Sequence, residues 1–483
     1  MKRNEKFNLH LATNDDGLYF WNRLDFHKLR KMILVFAIMM AVLPLFVSLT
    51  VRPWIALIHS VESAKNCFYL VVGEYWYSLV YLMGALMTLC MVIGILQMCN
   101  RRAFSGFSFR EWILSHWLSL SMLALLIWSI ISTFLAKDQE SAIWGDWYCH
   151  EGLVLYFFYG AFFLCGSWLT GKQMKLLAEV MAAVCTVTGI LTITQGRFFP
   201  WLFYLENHQS AMFHQYNHYG YYLSICIPLV MGLALQDTSK NVFLRLLRLM
   251  ELWLIFNAMA VNSVRGSFLA VVVVVICFNL YVFILKRELI GRMLFLDALF
   301  FGTIFLLNTG SDLGSRLAGL AGGLAEVSGA SGEDKQAAID SLGSSRGMLW
   351  RYGLQFMMEK PVFGFGPGNL MEPYTLVESH TSSPHNDLIL IGASMGIPAV
   401  IFYVSGLAGH LAGYLRHIRQ MSVFEVTMFA AMGGYLLGSF VGVSIYYTSS
   451  YYFLLLGCTY GIYRSKFRES RKTEKTSEDV QKV

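Results

Sequence analysis

Apolar runs long enough to cross a bilayer recur along the whole chain, and no other feature constrains its fold so tightly. A helix rising 1.5 Å per residue needs about 20 apolar residues to cover a hydrocarbon core of roughly 30 Å. Twelve such spans can be read, near 32–51, 77–98, 112–135, 153–170, 176–194, 218–235, 246–263, 267–286, 290–308, 387–411, 421–443 and 448–463. Of the 483 residues, 56% are hydrophobic and only 14% charged, far from the balance of a water-soluble domain. The expected fold is an all-α integral membrane protein of about 12 transmembrane helices. It carries one long extracytoplasmic loop that contains short amphipathic helices. Residues 67–76 read as a re-entrant or interfacial extension of the second span, and Ser263–Gly266 alone divide spans seven and eight.

Charge fixes the expected orientation. The first 31 residues are polar and basic, too long for a signal n-region, and the first apolar run meets Val51-Arg52-Pro53 without a small-residue cleavage site. That run is expected to stay as the first span. With the N-terminus in the cytoplasm, ten of the 37 Lys and Arg fall outside: Arg52, Lys65, Lys137, Arg197, Arg265, Arg316, Lys335, Arg346, Arg351 and Lys360. Every inside segment then carries at least two, as the positive-inside rule requires. The chain divides into a cytoplasmic segment 1–31, spans one to nine over 32–308, and an extracytoplasmic loop 309–385. Spans ten to twelve cover 386–463, followed by a basic cytoplasmic tail 464–483. The net charge of +6 sits beside spans, where it orients the protein, so no nucleic-acid partner is expected. The nine cysteines show no CxxC pair or Cys/His metal spacing. Cys67 and Cys149 fall near the same face, and their pairing stays open.

The loop 309–385 is long enough to imply a function. Its first half, GSRLAGLAGGLAEVSGASGEDKQ, is rich in small residues and expected to be mobile. Its second half, SSRGMLWRYGLQFMMEKP, reads as a short amphipathic helix at the outer boundary, stopped by Pro361, with Arg346 and Trp350 on one face and Arg351 on another. Next comes SSPHNDLILIGASMGIP, where His385 opens an apolar helix. Arginine donates paired hydrogen bonds to phosphate, and histidine can take a proton from a hydroxyl near neutral pH. Cations and an imidazole on one side of a membrane therefore suit group transfer from a lipid diphosphate to a hydroxyl. Taken singly, each has a plainer reading. Ser383 or Asn386 caps the helix and His385 is merely exposed, Arg265 is a snorkelling anchor, and Arg346 lies on a solvated face. The GFGPGN turn at 364–369 follows a helix and contains Pro367, so it is a plain turn rather than a nucleotide-binding fingerprint.

The order of these stretches adds a resemblance. RGMLWRYGLQFMMEKPVFGFGPGNL (346–370) followed by PHNDLILIGASMGIPAVIFY (384–403) resembles the signature region of the O-antigen ligase/polymerase superfamily. MFHQYNHYGYYLSICIPL (212–229) and SVRGSFLA (263–270) look similar to two further family stretches. The resemblance implies a C-class membrane glycosyltransferase that inverts the anomeric carbon, without metal, nucleotide or other cofactor. Its donor would be an undecaprenyl-diphosphate-linked glycan outside the cytoplasm, and its acceptor a glycan, lipid or protein hydroxyl. By motif, His385 matches the family's essential histidine, and Arg265 and Arg346 its diphosphate-holding arginines. Asn217 and His218 match its Asn-containing helix opening. Charge and position add Arg351 and Lys360, and Asn386 joins them as a candidate substrate contact. The longer Gly/Ser-rich insertion at 309–345 departs from the ligase type and leaves the acceptor open among lipid A core, repeat units and protein. Two other classes compete: a transporter or flippase of lipid-linked sugar using Glu179, Glu251, Asp297 and Glu425 within spans, and a non-catalytic assembly protein.

Overall fold

The computed structural model describes residues 26–58, 64–100, 109–146, 149–194, 210–211, 213, 215–308, 313–377, 379, 381, 383–442 and 445–481. The first 25 residues, the basic loop residues Arg101 and Arg102, and Arg197 lie outside them. The described residues form helices joined by short turns, without a strand. In chain order these are α1 (Phe26–Ile58), α2 (Ala64–Asn100), α3 (Phe109–Phe134), α4 (Gln139–Trp144), α5 (Leu153–Trp168), α6 (Gly171–Thr194), α7 (Tyr216–Leu235), α8 (Val242–Asn262) and α9 (Arg265–Leu285). They continue as α10 (Ile290–Asn308), α11 (Leu313–Gly329), α12 (Gly332–Glu359), α13 (Met371–Leu376), α14 (Asp387–Met395), α15 (Ile397–His417), α16 (Val423–Ser439) and α17 (Tyr446–Gln481).

This is a polytopic helical membrane protein. Among the described residues eight helices are long and apolar enough to span, and α5 and α16 are shorter apolar helices. Lipid-facing positions such as Leu82, Phe305 and Ile401 stay exposed, as a bilayer solvent allows. The centre is α7, whose span is 94% buried. It contacts α6, α8, α9 and α16. Elsewhere glycine lets backbones touch: a Cβ on Gly457 of α17 would stand 2.0 Å from the Phe163 carbonyl oxygen of α5. Close approach of this kind is how helices associate where no hydrophobic force separates protein from lipid.

Each predicted span has its helix, but three expectations change. The run at 387–411 is two helices, because Gly396 takes a left-handed φ of 84° and Pro398 stands in the first turn of α15. The small-residue half of the 309–385 segment, expected to be mobile, is helical as α11 and the start of α12. The short helix expected from Arg346 continues this segment. Their axis breaks at Leu342–Ser345, where Gly343, Ser344 and Ser345 all have positive φ. Ser263, also left-handed at φ 56°, turns α8 into α9, so spans seven and eight are separate as read. Residues 67–76 are a continuous part of α2. Cys149 is a buried free thiol, and the side chain of Cys67 lies outside those described.

Candidate functional site

His385 owes its position to the start of α14. Asn386 is the N-cap, its Oδ1 accepting from the backbone N–H groups of Leu388 and Ile389 at 3.0 and 3.1 Å. Its Nδ2 donates to the Phe440 carbonyl at 2.8 Å, which ties the cap to the end of α16. The residue before the cap is thereby forced into φ 53°, a left-handed conformation that a histidine rarely adopts. Ser383 Oγ accepts from the His385 N–H at 3.3 Å and steadies the turn. The expected exposed imidazole is instead half-buried. Burial, and after it the charge of Arg346, holds the imidazole down at about 4, so it is neutral at pH 7 but a weak base in the free protein.

Arg346 opens the second part of α12, directly after the left-handed turn. Arg265 opens α9 and reaches across to the same turn, donating to Ser344 Oγ at 2.9 Å and to the Arg316 carbonyl at 3.2 Å. The charges of Arg346 and Arg316 both bear on Arg265. Neither Arg265 nor Arg346 has a carboxylate partner among the described residues. Both line a cavity of about 710 Å³ between α9 and α12. Leu320, Ile339, Leu354 and Met358 supply much of its wall, and Trp350 Nε1 is buried there without a hydrogen-bond partner among the described residues. Cations gathered at one part of an apolar-walled cavity fit an amphiphile with an anionic head.

Residues 251–404 match the family model for O-antigen ligase. This segment is similar to O-antigen ligases. It places the chain's resemblance with the O-antigen ligase/polymerase superfamily. No curated protein compared with the chain matches it. Arg265, Arg316, Arg346 and His385 all fall inside the matched segment, whereas Asn217 and His218 precede it.

The remaining residues singled out in the sequence divide sharply. His218 is buried in α7 and shares a short hydrogen bond with the Tyr447 hydroxyl, so its ring is built into the bundle. Asn217 is half-buried at the opening of α7. Arg351 lines the cavity, yet its guanidinium donates to both oxygens of Asp340 at 3.0 and 2.7 Å and lies over the Tyr352 ring. It braces the two halves of α12 across their break. Lys360 stands 4.1 Å over the Phe365 ring and does not line the cavity. Asn386 spends its amide on the cap and Phe440, which makes it a holder of His385.

Sequence reading passed over a buried acidic layer behind His385. Asp387, in the first turn of α14, and Glu151, just before α5, are 6% and 8% exposed. Tyr159 donates to Glu151 Oε1 at 2.8 Å, and Ser449 also bonds this carboxyl. Ser449 in turn pairs with the Tyr435 hydroxyl at 2.8 Å. Burial, and then the Asp387 charge, pushes the Glu151 carboxyl up to about 8, so it keeps its proton at neutral pH. Glu151 and Asp387 lie far apart in sequence; Asp387 stands within the 384–403 stretch but nothing there marks it as buried, and Glu151 belongs to no recognisable motif. Arg316 and Ser344 were equally silent, having no spacing relation to Arg265.

Proposed function

We propose that this protein transfers or polymerises glycan from an undecaprenyl-diphosphate-linked donor onto a hydroxyl acceptor at the outer face of the cytoplasmic membrane. The observation that carries the reading is the meeting of Arg265 and Arg346 at an apolar-walled cavity, with the neutral His385 within reach of the Arg346 charge. The polyprenyl chain would lie along the apolar wall and the diphosphate against the two guanidinium groups. His385 would take the acceptor hydroxyl's proton as the oxygen attacks the anomeric carbon. The bond from that carbon to the diphosphate oxygen breaks, and the departing negative charge is met by Arg265 and Arg346. One displacement of this kind inverts the anomeric centre and needs no metal. Because Arg346 depresses the His385 proton affinity, a bound diphosphate that neutralises Arg346 restores part of it. The base would thus strengthen once the donor is in place. The positive-inside pattern supports cytoplasmic termini and an extracytoplasmic site.

The transporter reading finds less support. Glu179 and Glu251 are both paired with Arg248, Asp297 accepts from Asn279, and Glu425 closes a capping box with Ser422. Each carboxylate it would use is already engaged.

The test is transfer by the purified protein in vitro, with an undecaprenyl-diphosphate-linked glycan as donor. His385→Ala at matched folded concentration is expected to lower kcat by ~10²–10⁴-fold, the usual worth of a positioned base. Unchanged turnover would remove His385 from the chemistry, and no transfer by the wild-type protein would return the transporter or assembly reading.

A further inference from the structure

The opposite end of the bundle holds a second cavity, of about 940 Å³, that the transferase reading does not use. It opens among the first turns of α1, the last turns of α2 and α5, the middle of α17 and the starts of α6 and α16. α17 measures its distance from the acidic layer behind His385. From Tyr446, at that layer, to Arg464 are eighteen helical steps, or roughly 27 Å.

Four cations line this cavity: Arg30, Lys172, Lys175 and Arg464. The single carboxylate in its wall, Glu425, is occupied. Its Oε2 accepts from the Ser422 N–H at 2.6 Å and its Oε1 faces Lys466 Nζ at 3.4 Å. Two of the cations are poorly satisfied where they stand. Arg30 Nε and Arg464 Nε are buried atoms without a hydrogen-bond partner among the described residues. Both guanidinium groups are held over rings, Arg30 over Phe26 at 4.9 Å and Arg464 over Tyr460 at 5.6 Å. Buried charged donors that lack an acceptor cost free energy unless an anion supplies one. The rest of the lining mixes polar Gln97, Ser167, Thr170, Ser422 and Ser465 with an apolar part made by Phe26, Met98, Phe424 and Ile462, and Trp168 packs edge-on against Phe26 at 5.7 Å. Aromatic and basic residues at helix ends are the mark of a membrane–water boundary, and basic pockets between spans there receive anionic headgroups.

We propose that this cavity binds the phosphate-bearing headgroup of an anionic membrane phospholipid, which ties the starts of α1 and α6 to the middle of α17. The phosphate would take the free Nε–H groups of Arg30 and Arg464, while Lys172 and Lys175, both exposed, add attraction at the mouth. A lipid is favoured over free phosphate because Phe26, Met98, Phe424 and Ile462 beside the cations offer acyl chains a surface. The proposal does not depend on what His385 does.

Native mass spectrometry of the full chain in detergent tests it, with phosphatidylglycerol, phosphatidylcholine and inorganic phosphate as probes. Phosphatidylglycerol is expected to be retained at least fivefold more than phosphatidylcholine, and to raise the thermal midpoint. Arg30→Gln/Arg464→Gln should abolish that preference. Lys172→Gln/Lys175→Gln changes only exposed side chains, keeps the lipid-free midpoint, and should weaken the preference two- to threefold. Equal retention of both lipids by wild type would overturn the proposal, as would a preference untouched in both double variants. Displacement of phosphatidylglycerol by inorganic phosphate at equal concentration would assign the site to a soluble anion instead. Glycan transfer by His385→Ala is read in a separate assay, so either idea can fail alone.

Discussion

Two groups of arginines in this chain stand in opposite surroundings. Arg248, in α8, sits between Glu179 of α6 and Glu251 one turn along its own helix, with N···O distances of 2.6 and 2.5 Å. Its charge is spent on holding helices together. Arg265 and Arg346 have no carboxylate among the described residues and press their charges on one another beside a cavity. Like charges held together by folding are a standing cost, and only an anion from outside relieves it. The difference separates a cation that belongs to the structure from one kept for a ligand, a separation that charge and hydropathy along the sequence do not make.

The comparison can be broken by exchanging the outcomes. Arg248→Gln leaves two carboxylates facing each other, and is expected to cost about 2–3 kcal/mol of stability after allowing for partial exposure. Thermal unfolding in detergent would record this, with transfer per folded molecule unchanged. Arg346→Gln should do the reverse. Its unfolding midpoint stays near wild type while kcat/KM for the diphosphate-linked donor falls roughly 10–100-fold, the worth of a charge-assisted hydrogen bond of about 1.5–3 kcal/mol. If Arg346→Gln unfolds the protein and Arg248→Gln abolishes transfer, the distinction collapses.

A pH profile sharpens it further. Free protein holds His385 near 4, so the acid limb of kcat/KM is expected well below 6.5, since that parameter reports the unliganded state. With donor bound the Arg346 charge is offset, and the limb of kcat should move upward. Two coincident limbs at 6.5 would mean that His385 feels neither burial nor Arg346. Glu151 gives a companion effect on stability. Its folded pKa of about 8 lies above the ordinary carboxyl value of 4.5, so the native state binds more protons than the unfolded one between those values. Stability contributed by this group is therefore full below 4.5 and lost as pH rises through 8. Glu151→Gln should flatten the thermal midpoint across that window. The smallest effect belongs to Arg351→Gln. Breaking its pair with Asp340, which is partly exposed, should cost at most about 1 kcal/mol and leave donor affinity within a few-fold. A hundredfold loss of affinity would make Arg351 a ligand after all.

The helices and the stretch similar to O-antigen ligases were legible because hydropathy and local motifs act over short windows. α14 was legible as a helix start from Pro384 and Asn386, yet its separation from α15 hung on Gly396, whose φ no pattern announces. The helicity of α11 was hidden by composition, since glycine and serine read as a linker. Arg351 and Asp340 are eleven residues apart and meet only because the chain folds back at Gly343–Ser345. Glu151 and Asp387 belong to segments more than two hundred residues apart, and only the packing of α5, α14 and α17 makes them neighbours.

The break at Gly396 bears on where in a cell envelope such chemistry can run. A membrane-crossing helix adjusts to thicker or thinner bilayers by tilting. Were α14 and α15 one rod, every change of tilt would swing the imidazole through an arc at its outer tip. Instead the short helix is fastened by Asn386 to Phe440, and by Trp128 to the Met395 carbonyl at 2.9 Å, while α15 begins anew beyond the glycine. The long span can lean to match its lipid surroundings, and His385 keeps its address.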